Sequence, residues 1–136
     1  MRVFVDASAW VPMEIASDQW RPAITRVMDG LKRERGLHLV TTNWTLYEAL
    51  SIVQRRGPAF ARMLHRRVKA SAAIVTVDEV TERRAVANFL RWADKTASVV
   101  DHANTLAAVR YRCDAILSFD ADFIPLAAAA GLRVLR

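Results

Sequence analysis

Five short apolar segments alternate with longer segments in which apolar residues recur at helical spacing. The apolar segments are predicted strands, at residues 2–5, 37–41, 73–77, 115–119 and 132–135. Strands that alternate with helices form parallel β/α units, in which helices cover both faces of the sheet. The pattern therefore predicts an α/β fold with a mainly parallel central sheet of about five strands.

The segments between these strands carry helix start and stop signals. Ser17-Asp18 is predicted to cap a helix that ends near Gly36, and Asn43 is predicted to cap the next one. Gly57-Pro58 ends that helix and starts another that runs to about Ala70. The remaining predicted helices start at Asp78 or Thr81 (with Val86, Phe89, Leu90 and Ala93 at apolar positions), after Ser98, and at about residue 123 in an Ala-rich segment that ends near 130.

Composition favours one packed domain in a reducing compartment. A chain of 136 residues with 53% hydrophobic and 25% charged residues is expected to form a single domain, residues 1–136. No apolar run approaches the roughly 20 residues that cross a bilayer. Asp6 interrupts the N-terminal apolar segment, which argues against a signal peptide. Because Cys113 is the single cysteine, no internal disulfide can form. We therefore expect a cytoplasmic protein that does not bind membranes.

Four acidic residues adjoin apolar segments, where an unpaired charge is costly. Asp6 and Asp120 directly follow predicted strands, Asp101 follows Val99-Val100, and Glu48 lies inside an apolar helix. In parallel sheets ligands bind outside the carboxyl ends of strands, where Asp6 and Asp120 lie. Each acid taken alone has a structural alternative, since an Asp can cap a helix and Glu48 can be an exposed helical position. Together they indicate a shared cation site.

The ligand types favour Mg²⁺ or Mn²⁺ over Zn²⁺, because hard divalent cations prefer oxygen ligands. The three histidines lack metal-binding spacing, and His102 is expected at the surface or beside a metal ligand. No dinucleotide-binding, phosphate-loop or nucleophile-elbow motif is present. The segment Asp120-x-Asp122 imitates a haloacid-dehalogenase phosphatase motif, but too little chain follows it, and a phospho-receiver domain would need an acidic pair after the first strand.

The ordered set of motifs resembles the PIN-domain ribonucleases, and in particular the VapC-type toxins of type II toxin–antitoxin pairs. The motifs that carry the resemblance are Asp6-x-Ser8 after a strand, helical Glu48, Ser98-x-x-Asp101, and Asp120-x-Asp122-Phe123 after a strand. The resemblance covers nearly the whole chain and implies a three-layer α/β/α sandwich. The chain departs from the family pattern at Ala7 and Val100, where a Thr or Ser is usual.

The resemblance also implies an activity and a set of site residues. Asp6, Glu48, Asp101 and Asp120 would be the catalytic and metal-binding acids, Asp122 would bind the metal through water, and Ser8 and Ser98 would support these acids. The activity would be Mg²⁺- or Mn²⁺-dependent cleavage of single-stranded or loop RNA by a metal-activated water. A cognate antitoxin and a homodimer are the implied protein partners. A housekeeping RNA-processing nuclease and a non-catalytic RNA- or protein-binding module stay open as alternatives.

Two further features concern the substrate. Six basic residues account for the net charge of +6 and lie in a stretch without acids at 49–77: Arg55, Arg56, Arg62, Arg66, Arg67 and Lys69. Such a segment is expected to bind RNA or the antitoxin, unless it is only a solvated helix face. The aromatic candidates for base stacking are Trp10, Trp20, Trp44 and Trp92, of which Trp10 and Trp44 lie nearest in sequence to the acids. Core packing is expected for most of these rings.

Overall fold

The central sheet is wholly parallel, in a computed structural model that describes residues 1–92 and 96–136. The strands of the described chain are β1 Arg2–Val5, β2 His38–Thr42, β3 Ala72–Val75, β4 Ala115–Leu117 and β5 Arg133–Leu135. They lie in the order β3-β2-β1-β4-β5. Every predicted strand is present, but β3 and β4 end two residues earlier than predicted. The predicted fold class is confirmed.

The helices of the described chain are α1 Ala7–Glu14, α2 Arg21–Leu31, α3 Asn43–Gln54, α4 Pro58–Ser71, α5 Glu79–Arg91, α6 Val99–Arg110 and α7 Phe123–Ala129. The sequence did not predict α1, because its residues are buried on nearly all sides and show no amphipathic pattern. Ala93, assigned to the fifth helix by its spacing, lies outside the described residues.

Two predicted helix caps were wrong. Ser17-Asp18 does not cap α2, which begins at Arg21. The carboxylate of Asp18 instead accepts the backbone N–H of Trp20, at 2.8 Å. Thr42, not Asn43, caps α3, because its hydroxyl accepts the backbone N–H of Thr45 at 3.1 Å. The side chain of Asn43 instead accepts the backbone N–H of Val77.

Alternate residues of each strand point to opposite faces of the sheet, and each face has its own core. Val3 and Val5 of β1 pack in a core with residues of α1 to α4. Phe4, between them, packs in the other core with residues of α6 and α7. A smaller cluster joins α5 to α6. The result is the predicted three-layer sandwich. No helix of the described segments is long and apolar enough to cross a membrane.

The strand order reverses at β1, which places a crevice at the carboxyl ends of β1 and β4. The chain leaves β1 towards β2 on one side and returns later to β4 on the other. Val5 pairs with Leu117, and the backbone N–H of Asp6 extends the ladder by donating to the Leu117 carbonyl at 3.0 Å. Such a reversal is the usual place for a ligand site in an open α/β sheet.

Candidate metal centre

Asp6 lies at the centre of this crevice and is the most buried of the candidate acids. It caps α1 directly after β1 and is 5% exposed. Its Oδ2 accepts the backbone N–H of Ser8 at 3.1 Å and the Ser8 hydroxyl at 2.7 Å. Burial raises the pKa of Asp6, and these hydrogen bonds oppose the rise. Ser8 therefore supports Asp6, as the resemblance implied.

Ser118 also supports Asp6, and the sequence analysis did not identify it. Its hydroxyl lies 3.1 Å from Asp6 Oδ2 and 3.0 Å from the Ser8 hydroxyl, and it accepts the backbone N–H of Asp120 at 3.1 Å. Ser118 is fully buried, directly after β4. The sequence does contain a signal for Ser118. It lies two residues before Asp120, directly after β4, and β4 pairs with β1, the strand that leads to Asp6 and Ser8.

Asp101 enters the crevice from the first turn of α6. Ser98 and Asp101 form a capping box: the Asp101 carboxylate accepts the Ser98 N–H at 2.7 Å, and the Ser98 hydroxyl accepts the Asp101 N–H at 3.2 Å. Burial raises the pKa of Asp101 to about 6, and repulsion from Asp6 and Asp120 adds to the rise against the Ser98 hydrogen bonds. Ser98 therefore fixes the orientation of this carboxylate.

Asp120 and Asp122 lie in the short connection from β4 to α7, beside Asp101. Carboxylate oxygens of Asp101, Asp120 and Asp122 all lie within 4.8 Å of one another. Asp120 Oδ1 accepts the backbone N–H of Asp122 at 2.9 Å, which holds the connection in a tight turn. Asp122 precedes α7, but its side chain makes no capping hydrogen bond. Its carboxylate is therefore not used as a helix cap.

Glu48 approaches the same crevice from the middle of α3 and is open to solvent. Partial burial of its carboxylate raises the pKa of Glu48, and repulsion from Asp6, Asp101 and Asp120 raises it further. This electrostatic coupling indicates that acids from four separate segments of the chain lie near one another. That these acids form one functional site stays a prediction.

The donor set fits a hard divalent cation. The cluster offers carboxylate oxygens, and the pKa values of Glu48 and Asp101 are raised partly by mutual repulsion that a cation would relieve. Its histidine neighbour does not contribute, because His102 is 3% exposed and packs edge-on against Phe89 and Trp92. The expectation of a surface position for His102 was wrong, because Phe89 and Trp92 cover its ring.

A buried polar network braces α3 against α6 beneath the acids. The hydroxyls of Thr42 and Thr45 lie 2.8 and 2.9 Å from the side-chain oxygen of Asn104, and all three residues are fully buried. Thr45 lies three residues before Glu48, and Asn104 lies three residues after Asp101, so each pair shares a helix face. The network therefore fixes the distance between two helices that carry site acids. It was not predicted, because its members are far apart in sequence.

The basic segment forms the exposed side of α3 and α4. Arg62 and Arg66 line a cavity of about 740 Å³ between these helices, together with Leu50, Pro58, Ala61 and neighbouring residues. Arg67 makes an ion pair with Glu14, whose side chain is 3% exposed. Arg67, which belongs to the predicted binding segment, thus links α4 to α1, whereas Arg62 and Arg66 face the cavity.

The tryptophans differ from one another in their exposure. Trp10 is 1% exposed and donates its indole N–H to the Thr41 hydroxyl, so it cannot stack on a base. Trp44 and Trp92 are half-buried, whereas Trp20 is 36% exposed and stacks on Phe119. Sequence proximity to the acids favoured Trp10 and Trp44, but it does not show which ring the fold buries.

No protein-family model matches the chain, and no curated protein matches it in sequence. Solved structures share its fold across nearly the whole length. Mycobacterium tuberculosis VapC20, described as a sarcin-ricin loop cleaving toxin, has a TM-score of 0.80 and 23% identity, covering 96% of this chain and 95% of that chain.

Two further structures extend the likeness. VapBC2 from Rickettsia felis, bound to a DNA fragment from its promoter, has a TM-score of 0.70 and 8% identity, covering 98% of this chain and 97% of that chain. FitAcB from Neisseria gonorrhoeae has a TM-score of 0.65 and 14% identity, covering 98% of this chain and 96% of that chain. These three likenesses confirm the fold that the resemblance implied.

Proposed function

We propose that this chain is a Mg²⁺- or Mn²⁺-dependent endoribonuclease and the toxin of a toxin–antitoxin pair. The observation that carries the proposal is the convergence of five carboxylates at the carboxyl ends of β1 and β4: Asp6, Glu48, Asp101, Asp120 and Asp122. The fold shared with VapC20, a toxin that cleaves an RNA loop, supports RNA as the substrate class.

The acids have different positions and therefore different proposed roles. Asp6, Asp101 and Asp120 would hold the cation directly, and Asp122 would act through water. The chemistry that such a cation supplies when bound is activation of a water and neutralisation of charge on the phosphodiester. Ser8 and Ser118 keep Asp6 in one orientation by hydrogen bonds to Oδ2. These residues preorganise the site before substrate arrives.

Glu48 is suited to accept a proton. Partial burial and repulsion from Asp6, Asp101 and Asp120 raise the pKa of Glu48, and its side chain is exposed on α3. Both features support a role as the general base for the attacking water. The position of Glu48 on α3 is fixed by the Thr45–Asn104 contact one turn earlier.

The surface charge supports a polyanionic substrate and an antitoxin. Arg55, Arg56, Arg62, Arg66 and Lys69 are exposed on α4 and on the turn that precedes it, where they could attract single-stranded or loop RNA. The cavity between these helices combines apolar walls with Arg62 and Arg66, which suits an amphipathic antitoxin segment. We also propose a homodimer, since Val80 and Leu90 of α5 are 62% and 75% exposed.

Cleavage of single-stranded RNA in Mn²⁺ tests the site. Asp101→Asn and Asp120→Asn should each reduce cleavage to background, because Asn keeps the shape of Asp but removes the charge that holds the cation. Glu34→Gln is the matched control, since Glu34 is exposed and lies before β2, at the opposite edge of the sheet. Circular dichroism would check that the variants are folded. Wild-type rates in Asp101→Asn would show that the site is wrongly assigned, whereas no cleavage by the wild-type protein would support the non-catalytic binding module.

Growth assays separate a toxin from a housekeeping nuclease. Induced expression should arrest growth, and co-expression of the small protein encoded beside this gene should restore it. Asp101→Asn should be harmless in the same assay. Normal growth at full expression of an active enzyme would favour the housekeeping alternative.

A further inference from the structure

We propose that Trp20 is the base-stacking residue of the RNA-binding surface and takes one unpaired base of a single-stranded substrate beside the metal centre. The inference rests on the proposed nuclease function and adds a specificity-determining residue to it. It starts from the ring geometry of Trp20 and Phe119.

The Trp20 ring is held as an exposed platform. Its plane lies 9° from that of Phe119, with ring centroids 5.0 Å apart. Phe119 is 4% exposed and Trp20 is 36% exposed, so one face of the indole covers Phe119 and solvent meets the rest of the ring. A base placed on the outer face would continue a parallel stack that already exists.

The backbone around Trp20 is fixed, so the platform does not need to order when a base binds. Asp18 accepts the Trp20 N–H at 2.8 Å. The guanidinium of Arg21 donates to the carbonyls of Pro12 and Met13, at 3.1 and 2.8 Å, which ties the start of α2 to the end of α1. A preorganised ring loses little conformational entropy on binding.

The platform is joined to the metal centre by the residue it covers. Phe119 lies between Ser118 and Asp120, and its backbone N–H donates to the Ser8 hydroxyl at 2.9 Å. That hydroxyl donates to Asp6 Oδ2 at 2.7 Å. A base on Trp20 and a phosphate at the carboxylates can therefore belong to the same short stretch of one strand.

A cation lies beside the platform. Arg136 donates from Nη2 to the carbonyl of Phe119 at 3.1 Å. A guanidinium carries five N–H donors, so this bond leaves others for a phosphate oxygen. The pairing of an exposed ring with a nearby guanidinium matches the base and the phosphate of one nucleotide. Of the four tryptophans, Trp20 alone combines exposure with a stacked ring beside the acids.

Fluorescence and binding measurements test the proposal without relying on cleavage. In the Asp101→Asn background, a short oligouridylate should quench tryptophan emission, and an oligomer with the same backbone and abasic sugars should not. Trp20→Leu should bind oligouridylate roughly 5- to 150-fold more weakly, the loss of one base–aromatic stack. Trp20→Phe should restore most of the affinity. Leu keeps an apolar cover over Phe119, so this comparison separates stacking from packing.

Steady-state cleavage by the otherwise wild-type enzyme gives a second readout. Trp20→Leu should raise KM with little change in kcat. The contact is with a base and not with the scissile phosphate, so it contributes equally to the ground and transition states. The proposal is wrong if Trp20→Leu binds oligouridylate as tightly as wild type, or if the abasic oligomer binds as well as oligouridylate. If Trp20→Leu does not fold, Trp20→Phe with the two oligomers decides the question. Failure of the nuclease proposal is separate, since it would appear as an absence of metal-dependent cleavage by the wild-type protein.

Discussion

Asp6 shows how single residues set the properties of this site. It is buried beneath the other acids, and burial alone would favour its neutral form. Hydroxyl groups of Ser8 and Ser118, contributed by segments more than a hundred residues apart, offset that effect by hydrogen bonding to Oδ2. Hydrogen bonds from the two serines thus stabilise the charged form of Asp6, which is the form that can bind a cation.

Removing the Ser118 hydroxyl should weaken this arrangement. Ser118→Ala removes one donor to Asp6 and the acceptor of the Asp120 N–H, which should cost about 1–3 kcal/mol of stability. The pKa of Asp6 should rise further, because a hydrogen bond to its charged form is lost. Since a protonated Asp6 cannot hold a cation, the acid limb of the pH–rate profile should move to higher pH.

Urea denaturation would measure the loss of stability. Cleavage rates between roughly pH 5 and pH 8 would measure the shift of the pH–rate profile. Ser71→Ala is the control, because the Ser71 hydroxyl bonds only to a helix carbonyl at the end of α4. An unchanged pH profile with lowered stability would limit Ser118 to a structural role.

At the scale of elements, the arginines of α4 have two different roles. Arg62 and Arg66 are exposed beside the cavity between α3 and α4. Arg67, one position further, pairs with the buried Glu14 and links α4 to α1. Adjacent arginines on one helix therefore face different surroundings, which a count of charges does not distinguish.

Charge reversal should distinguish these two roles. If Arg62 and Arg66 contact RNA phosphates, Arg62→Glu with Arg66→Glu should weaken binding to unrelated RNA sequences. It should also flatten the plot of log affinity against log salt by roughly 0.7 per lost contact. Filter binding at several salt concentrations would measure the slope.

Arg67→Met is the matched comparison. It should lower stability by about 1–3 kcal/mol, less than for a fully buried pair because the Arg67 side chain is 47% exposed. Its effect on the salt slope should be smaller than that of the double reversal. A salt slope that the double reversal leaves unchanged would assign Arg62 and Arg66 to antitoxin binding or to a solvated helix face.

At the scale of the whole molecule, the parallel topology gathers the acids and creates a repulsion that metal should relieve. The segments carrying Asp6, Glu48, Asp101 and Asp120 lie far apart in sequence and meet only because the strand order reverses at β1. Two like charges 4 Å apart repel by about 1 kcal/mol in bulk water and by more where water is excluded. The fold therefore holds a strained cluster of charges when no cation is bound.

Thermal melts without and with Mn²⁺ should show this strain. The folded-state pKa of Asp101, about 6, lies above its ordinary value of 3.8. Its contribution to stability is therefore full below about pH 4 and is lost as the pH rises through 6. Metal-free Asp101→Asn should melt a few degrees higher than metal-free wild type at pH 7, and the difference should vanish near pH 4.

Mn²⁺ should then raise the melting temperature of wild type by mass action and that of Asp101→Asn much less. Glu34→Gln should behave like wild type in both conditions. A metal-free variant that melts lower than wild type, with no response of either protein to Mn²⁺, would show that these acids do not form a cation site.

The sequence by itself determined the order of strands and helices, the parallel sheet and the candidate acids. These depend on local signals: apolar periodicity, Gly and Pro punctuation, and an acid placed directly after a strand. Asp6 and Asp120 were predicted to lie at the same edge because parallel strands end at the same edge of a sheet.

Only the tertiary structure decided which side chains meet. The burial of His102, the Ser118 contact with Asp6, the Arg67–Glu14 ion pair and the Trp20–Phe119 stack were not predicted. Each joins segments that are distant in sequence or depends on the direction in which a helical side chain points. Helix α1 was not predicted for a related reason. It is covered on nearly all sides, so its sequence lacks the alternation of polar and apolar faces from which a helix is recognised. Local patterns thus specify elements, and packing specifies contacts.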